Sequence, residues 1–320
     1  ALMIAIAKKN EDIAGYLISR GAEVNVKNNY DTTALMVAAS FGLDKTVKLL
    51  IEKNADINAQ DIFQRSAIEY TIINGNIESF KILKEAKLKQ GYSQDFIDNL
   101  VNTLLFAEIK HGNIKNIKNI IATGANVNAR NYFLATPLIV SIEWRRTEIA
   151  KILIDNQADI NAKDKDGFTP LMTAVIAESR EIVKLLLSKN ADMNLQNFRN
   201  QTAFQIAQER GLFDIQQILK NREAAIAAEI QNREKALFLA IEDGNQVSIA
   251  KLISANVNIN ARDEAGNTPL IKAVQLKKLD VVKVLISKSA NVNLKNNSGE
   301  TALTVAIRNN QVEIEEILKK

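Results

Sequence analysis

An apolar residue stands two places after a hydroxyl residue again and again along this chain. The pairs are Thr33 with Leu35, Ser66 with Ile68, Thr103 with Leu105, Thr136 with Leu138, Thr169 with Leu171, Thr202 with Phe204, Thr268 with Leu270 and Thr301 with Leu303. Lys235 with Leu237 fills the one missing step, and every spacing is then 33 residues except the 37 between Ser66 and Thr103. Five places after the hydroxyl a small residue follows in most copies: Ala38, Ser141, Ala174, Ala207, Ala240, Ala273 and Ala306. Leu2 and Ala5 keep the same register for a copy whose cap would precede Ala1, which makes ten copies. A period of this length marks a repeat architecture, in which each unit buries its apolar face only by stacking on its neighbours.

Each slot predicts a local structure. A Thr or Ser hydroxyl accepts an orphan N–H of the first helical turn, so these residues read as helix N-caps. All three prolines, Pro137, Pro170 and Pro269, directly follow a cap Thr, the position where a missing N–H is harmless. Nine residues after the cap stand Gly42, Gly75, Gly112, Gly211 and Gly244, where a short helix ends and reverses. A second, amphipathic helix follows, with apolar faces such as Val47, Leu49, Leu50 and Ile182, Val183, Leu185, Leu186. A small pair and an Asn come next, as in Gly124-Ala125 with Asn128; Asn25, Asn58, Asn161, Asn194, Asn260 and Asn293 repeat the slot. Asn bonds to nearby backbone and tolerates left-handed dihedrals, which predicts a turn into a projecting loop or hairpin.

Thr-Pro-Leu at Thr136, Thr169 and Thr268, the 33-residue period and segments such as Gly124-Ala-Asn-Val-Asn128 resemble the ankyrin repeat over essentially the whole chain. The resemblance implies an all-α solenoid of antiparallel helix pairs with perpendicular hairpins, whose concave face is built from hairpin tips and first helices. It also implies a non-enzymatic module that binds other proteins. The His that commonly follows Thr-Pro-Leu in that family is replaced by Ile139, Met172 and Ile271, apolar residues that can pack in its place. Abundant Ile, Asn and Lys resemble the usage of bacterial ankyrin proteins from AT-rich genomes.

Two places break the period. Four extra residues fall around Lys87 to Gln94, and Ser93-Gln-Asp-Phe reads as a fresh N-cap, predicting a longer loop and a lengthened first helix. Asp214 to Asp243 holds no Gly or Pro, and Ala224 to Ala228 is strong helix former. A second helix is expected there to continue into the next first helix, or to bend tightly against it. Gln216 replaces the apolar residue of other copies, which weakens one expected interface. Three segments follow: residues 1–90 with repeats 1–3, the first incomplete; 91–222 with repeats 4–7; and 223–320 with repeats 8–10. Glu315, Glu316 and the final lysines give the last copy a polar outer face, and the apolar start Ala-Leu-Met-Ile creates an expectation of further repeats upstream.

Composition narrows the chemistry. With no Cys and one His, His111, thiolate nucleophiles, histidine triads and multi-histidine zinc sites are excluded, and no metal or cofactor is expected. No Gly-rich phosphate loop is present. The net charge of +4, spread along the chain, makes no demand for nucleic acid. No apolar run reaches membrane-spanning length. A monomer is the expectation.

Candidate contact positions lie four, three and one residue before each cap and seven and eight after it. These are 45 of 320 residues, where an even spread would put about two of the 17 aromatics. Eight are found there: Tyr30, Phe41, Phe63, Tyr132, Phe133, Trp144, Phe168 and Phe198. Aromatics held at a surface are the residues that dominate interfaces. These eight are therefore the expected partner-binding residues, in a groove spanning about residues 30–200. Trp144 is expected to flank Tyr132 and Phe133 and to face Phe168. Arg130, Lys163, Arg199, Arg210 and Arg262 would give that groove a basic flank, suited to a partner protein or peptide with an acidic segment. An alternative is that the chain is the substrate-recruiting arm of a larger enzyme or a secreted bacterial effector.

Overall fold

The computed structural model describes residues 1–319, and these contain nineteen helices with no strand longer than the isolated antiparallel bridge between Lys27 and Thr33. Helices alternate short and slightly longer, as in Ala34–Phe41 with Asp44–Glu52 and Pro170–Ile176 with Arg180–Ser188. The hydroxyl slot starts the first helix of a pair: Thr33, Thr136, Thr169, Thr202, Thr268 and Thr301 each accept the N–H three residues on. At Ser66 the reciprocal bond is made, Ser66 N–H donating to the Glu69 carboxylate at 2.6 Å. Such caps are worth about 1 kcal/mol each.

Two compact units divide the chain, Ala1–Leu219 and Lys220–Lys320. In the first, the slot two after the cap supplies Leu35, Ile68, Leu105, Leu138 and Leu171, and second helices answer with Val47, Phe80, Ile117, Ala150 and Val183, all buried in one core. The second unit repeats this with Leu237 and Leu270 against Ile249 and Val282. Full burial of such an aliphatic side chain contributes about 1.5–3 kcal/mol. A core drawn from every repeat is what holds helices too short to persist alone.

Backbone in the left-handed region recurs at three points of each complete repeat. The reversal between helices uses Gly42, Gly75, Gly112, Gly211 and Gly244, but also Lys9, Arg145, Glu178, Lys277 and Asn310 at φ between 53 and 58°. Glycine therefore marks the turn in only half of the copies, and neighbouring copies form the same turn with a side chain present. The other two points are the end of the second helix (Asn54, Gly124, Gln157, Asn190, Asn256, Ser289) and the loop tip (Asp31, Gln64, Leu134, Gly167, Asn200, Gly266, Gly299).

The Asn slot acts across repeats, not within one turn as the sequence suggests. Asn25 Oδ1 accepts Asp56 N–H at 2.8 Å, Asn128 accepts Asp159 N–H at 2.7 Å, Asn161 accepts Asp192 N–H and Asn260 accepts Asn291 N–H, both at 2.9 Å. Each is a side chain of one loop clasping the backbone of the next. The local turn is made instead by an Asn or Asp five before the cap: Asn28, Asp61, Asn131, Asp164, Asn197, Asp263 and Asn296 each accept two N–H groups of their own loop. Adjacent loop tips are joined by a backbone bond, Ile62 N–H to Tyr30, Lys165 to Phe133, Phe198 to Asp166 and Asn297 to Ala265, at 2.9–3.2 Å.

Both breaks replace a loop by helix. Ser93 caps Gln94–His111, accepting Phe96 N–H at 3.1 Å, so Thr103 sits within a helix and is no cap. Asn102 of this helix takes over the clasp, accepting Asn126 N–H at 2.9 Å. The second break is the continuous 31-residue helix Phe213–Asp243, the first of the two expected alternatives. Residues 223–233 of it are exposed throughout, so there the helix rests on its own propensity and on pairs such as Arg233 with Glu229 at 2.6 Å. Gln216 is half-buried and donates to the Ala207 carbonyl at 3.1 Å, ending the helix Ala203–Glu209 with a hydrogen bond at the slot where an apolar contact was expected.

Candidate functional site

The Asn or Asp turn and the left-handed tip residue together hold each loop with its three and four residues before the cap turned outward. Seven of the eight expected aromatics are exposed. Tyr132 is 92% exposed, Phe198 72% and Phe63 68%; Phe133 stands beside Tyr132, Tyr30 on the tip before Thr33, and Phe41 and Trp144 at the ends of first helices. Phe168 departs from expectation. It is half-buried and packs against the core of the first unit. Tyr132 and Phe133 meet edge to face with centroids 5.5 Å apart, a favourable arrangement for two rings.

Lysines cover these rings from neighbouring repeats. Lys165 Nζ lies 4.7 Å from the centroid of Phe133, Lys9 5.0 Å from Phe41 and Lys110 5.9 Å from Trp144. An ammonium over an aromatic face at such distances contributes about 0.5–1 kcal/mol when exposed. The surface thus offers apolar rings beside cations.

The basic flank expected from sequence is largely committed elsewhere. Arg130 donates to the carbonyls of Leu134 and Lys163 at 2.8 and 2.6 Å, and Arg262 to those of Gly266 and Lys295 at 2.9 and 2.6 Å. Lys163 donates to the Gln196 carbonyl at 2.7 Å, and Arg210 pairs with Glu178 at 3.6 Å. These four cations tie loop to loop and repeat to repeat; the Arg199 side chain makes no such bond among the described residues, and it and the lysines on the aromatic rings flank the surface. Two contributors escaped the sequence reading. Ile62 and Leu134 are both exposed on aromatic tips; Ile62 carries no ring in its slot, and Leu134 stands two before its cap, a slot that holds Gly in three other copies.

The lengthened repeat carries a separate polar cluster. Tyr70 donates its hydroxyl to Asp61, and its pKa is pushed up to about 12, chiefly by burial and then by the hydrogen bond and charge of Asp61. Buried Lys87 donates to Asn58 Oδ1 at 2.7 Å beneath the Tyr92 ring, and burial lowers its pKa. Glu108, also buried, accepts Asn116 Nδ2 at 2.9 Å and lies 3.7 Å from Arg65. Every member has a partner, which is the signature of a structural network. Among the described residues no group of three or more His, Asp and Glu is placed to hold a metal ion, and no helix is long and apolar enough to cross a membrane.

A family model described as ankyrin repeats (3 copies) matches residues 1–61, 104–197, 171–263 and 237–320. The chain belongs to the ankyrin-repeat family. It is 31% identical over 160 residues to the mitochondrial disaggregase of Bos taurus, covering 48% of this chain and 22% of that protein. It is 26% identical over 184 residues to Rabankyrin-5 of Mus musculus, covering 43% of this chain and 16% of that protein. Less than a quarter of either relative is therefore represented. Among solved structures, the human ASB11 ankyrin repeat domain matches 64% of this chain and 90% of its own at 20% identity, with a TM-score of 0.42. Ankyrin repeats generally mediate protein–protein interaction.

Proposed function

We propose that this chain is a non-enzymatic binding module which captures a partner protein or peptide on the face formed by its loop tips and first-helix ends. The observation that carries the reading is the set of exposed rings Tyr30, Phe41, Phe63, Tyr132, Phe133, Trp144 and Phe198, three of them overlain by lysines. Apolar rings give the affinity, and Lys9, Lys110 and Lys165 favour a segment with acidic residues beside its apolar ones. Phe168 contributes from beneath, as support for its loop.

The test is Trp144→Ala, measured for both binding and folding after a partner is isolated with the intact chain. Affinity is expected to fall at least about 30-fold, as for a central interface Trp, while unfolding free energy falls by no more than about 1 kcal/mol, the worth of its contact with Lys110. A stability loss near 3 kcal/mol, the size seen for buried Trp, would place the ring in the core and sink the assignment.

A second reading is supported by how little of each relative's length is matched: the chain as the recruiting arm of a larger enzyme or a secreted effector. Expression from the complete reading frame separates the two, since only the arm reading expects an activity that is lost when the repeats are removed.

A further inference from the structure

The bond between loop tips follows a strict rule. The N–H four residues before a cap donates to the carbonyl three residues before the preceding cap. Glu264 holds that donor position in the Thr268 repeat, but 33 residues earlier the chain is helix, so no loop precedes it. Among the described residues its N–H makes no hydrogen bond. Where a preceding loop would lie against it, within the second unit, there is a groove of about 640 Å³. One wall is the helix Phe213–Asp243, through Glu234, Phe238 and Leu239; the other is the loop, through Arg262, Glu264 and Ala265.

Three properties of the groove define an occupant. The Glu264 N–H is an open donor at the loop edge, in the position from which the other loop pairs bond a carbonyl. Leu239, 60% exposed, and half-buried Phe238 offer an apolar wall. The charges lean toward acid: Glu234, Asp263 and Glu264 stand against Lys235 and Arg262, and Glu234 and Glu264 have no ion pair among the described residues. Glu242 is neutralised by Lys272 at 2.8 Å, and Arg262 is turned onto the Gly266 and Lys295 carbonyls.

We propose that this groove is a second peptide-binding site, which takes an extended basic segment of a partner protein in place of the missing loop. A carbonyl of the segment accepts the Glu264 N–H, an apolar side chain lies on Leu239 and Phe238, and a Lys or Arg sits beside Glu234 and Glu264. Edge addition of this kind draws affinity from main-chain bonds and specificity from alternate side chains. The site is separate from the aromatic surface of the first unit and stands or falls without it.

A fluorescein-labelled hexapeptide alternating Lys and Val, titrated into the full chain by fluorescence anisotropy, provides the test, with a Glu–Val hexapeptide as counterpart. Glu264 is the second residue of a turn closed by Gly266 N–H to Asp263 at 2.9 Å, a position that proline suits. Glu264→Pro therefore removes the N–H while keeping the loop. It is expected to weaken the Lys–Val peptide about fivefold or more, as is Leu239→Ser, whereas Tyr132→Ala leaves it unchanged and the Glu–Val peptide does not bind. In the unaltered chain, hydrogen exchange of the Glu264 amide slows when the Lys–Val peptide is added. The proposal is overturned if the two peptides bind alike or neither binds, if either Glu264→Pro or Leu239→Ser binds as the parent does, or if exchange at Glu264 is unmoved. Self-association of the chain that Leu239→Ser abolishes would overturn it equally, by giving the groove to a second copy.

Discussion

Asn128 and Asp159 are joined across a repeat boundary: the Asn128 Oδ1 accepts the Asp159 N–H at 2.7 Å while its Nδ2 donates to the Gln157 carbonyl at 3.4 Å. One side chain thus satisfies backbone groups at the end of a helix 29 residues away. Asn128→Ala removes this clasp and should lower the stability of the first unit by about 1 kcal/mol. Asn194 occupies the same slot, but the next repeat is helix where the clasped loop would be. Asn194→Ala should change stability by under about 0.5 kcal/mol, and urea denaturation of the two variants side by side checks the contrast.

Tyr70 links stability to alkaline pH. Its folded pKa of about 12 lies above the ordinary tyrosine value near 10, because burial and the Asp61 carboxylate favour the protonated hydroxyl. The stabilisation is therefore complete below about pH 10 and lost as pH rises from 10 toward 12. Denaturation midpoints across that range should fall for the parent and fall less for Tyr70→Phe. Ionisation of all five tyrosines together near pH 10 would rule this out.

Lys277 forms the helix reversal at φ 54°, where Gly244 forms it in the repeat before. A left-handed residue with a Cβ is strained by about 1–2 kcal/mol, against which glycine's added unfolded-state freedom costs about 0.5–1. Lys277→Gly should accordingly stabilise the second unit by about 0.5 kcal/mol. Gly42→Ala should do the opposite in the first. There the new Cβ falls 2.8 Å from Oδ1 of Asn76, whose Nδ2 is held by the Ala39 and Ser40 carbonyls. Thermal melts of both single variants measure the two signs.

Repeat arrays are stabilised by interfaces between neighbours, and the exposed helical stretch 223–233 has no loop of its own to stack. Unfolding is expected in two steps, one for each unit, with trypsin cutting first at Lys220, Arg222, Arg233 or Lys235. A single transition coincident by all probes, with those bonds resistant, would refute this.

Much of the candidate surface was legible because the repeat itself supplies the register. Once caps are fixed by Thr, Ser and Pro, Tyr132 and Phe198 fall on loop tips by counting alone. Phe168 shows the limit, since it occupies the same kind of slot, one before its cap, yet lies half-buried against the core. Counting places a Cα and cannot say which way the ring rotates. Arg130 and Arg262 show a second limit: as sequence they are cations near a groove, and only the fold reveals the carbonyls they bond, 33 residues on in Lys163 and Lys295.

The sequence by itself determined the family, the helix pairs and the sites of both breaks. These depend on contacts within about ten residues, namely caps, prolines, amphipathic faces and an Ala-rich stretch without Gly or Pro. Tertiary structure decided what the loops do. The Asn clasps and the bonds between loop tips join residues 24 to 32 positions apart, and the open edge at Glu264 shows where such a partner is missing. A hydrogen bond of that span depends on how one repeat stacks on the next, and no local pattern of residues encodes whether its acceptor is present.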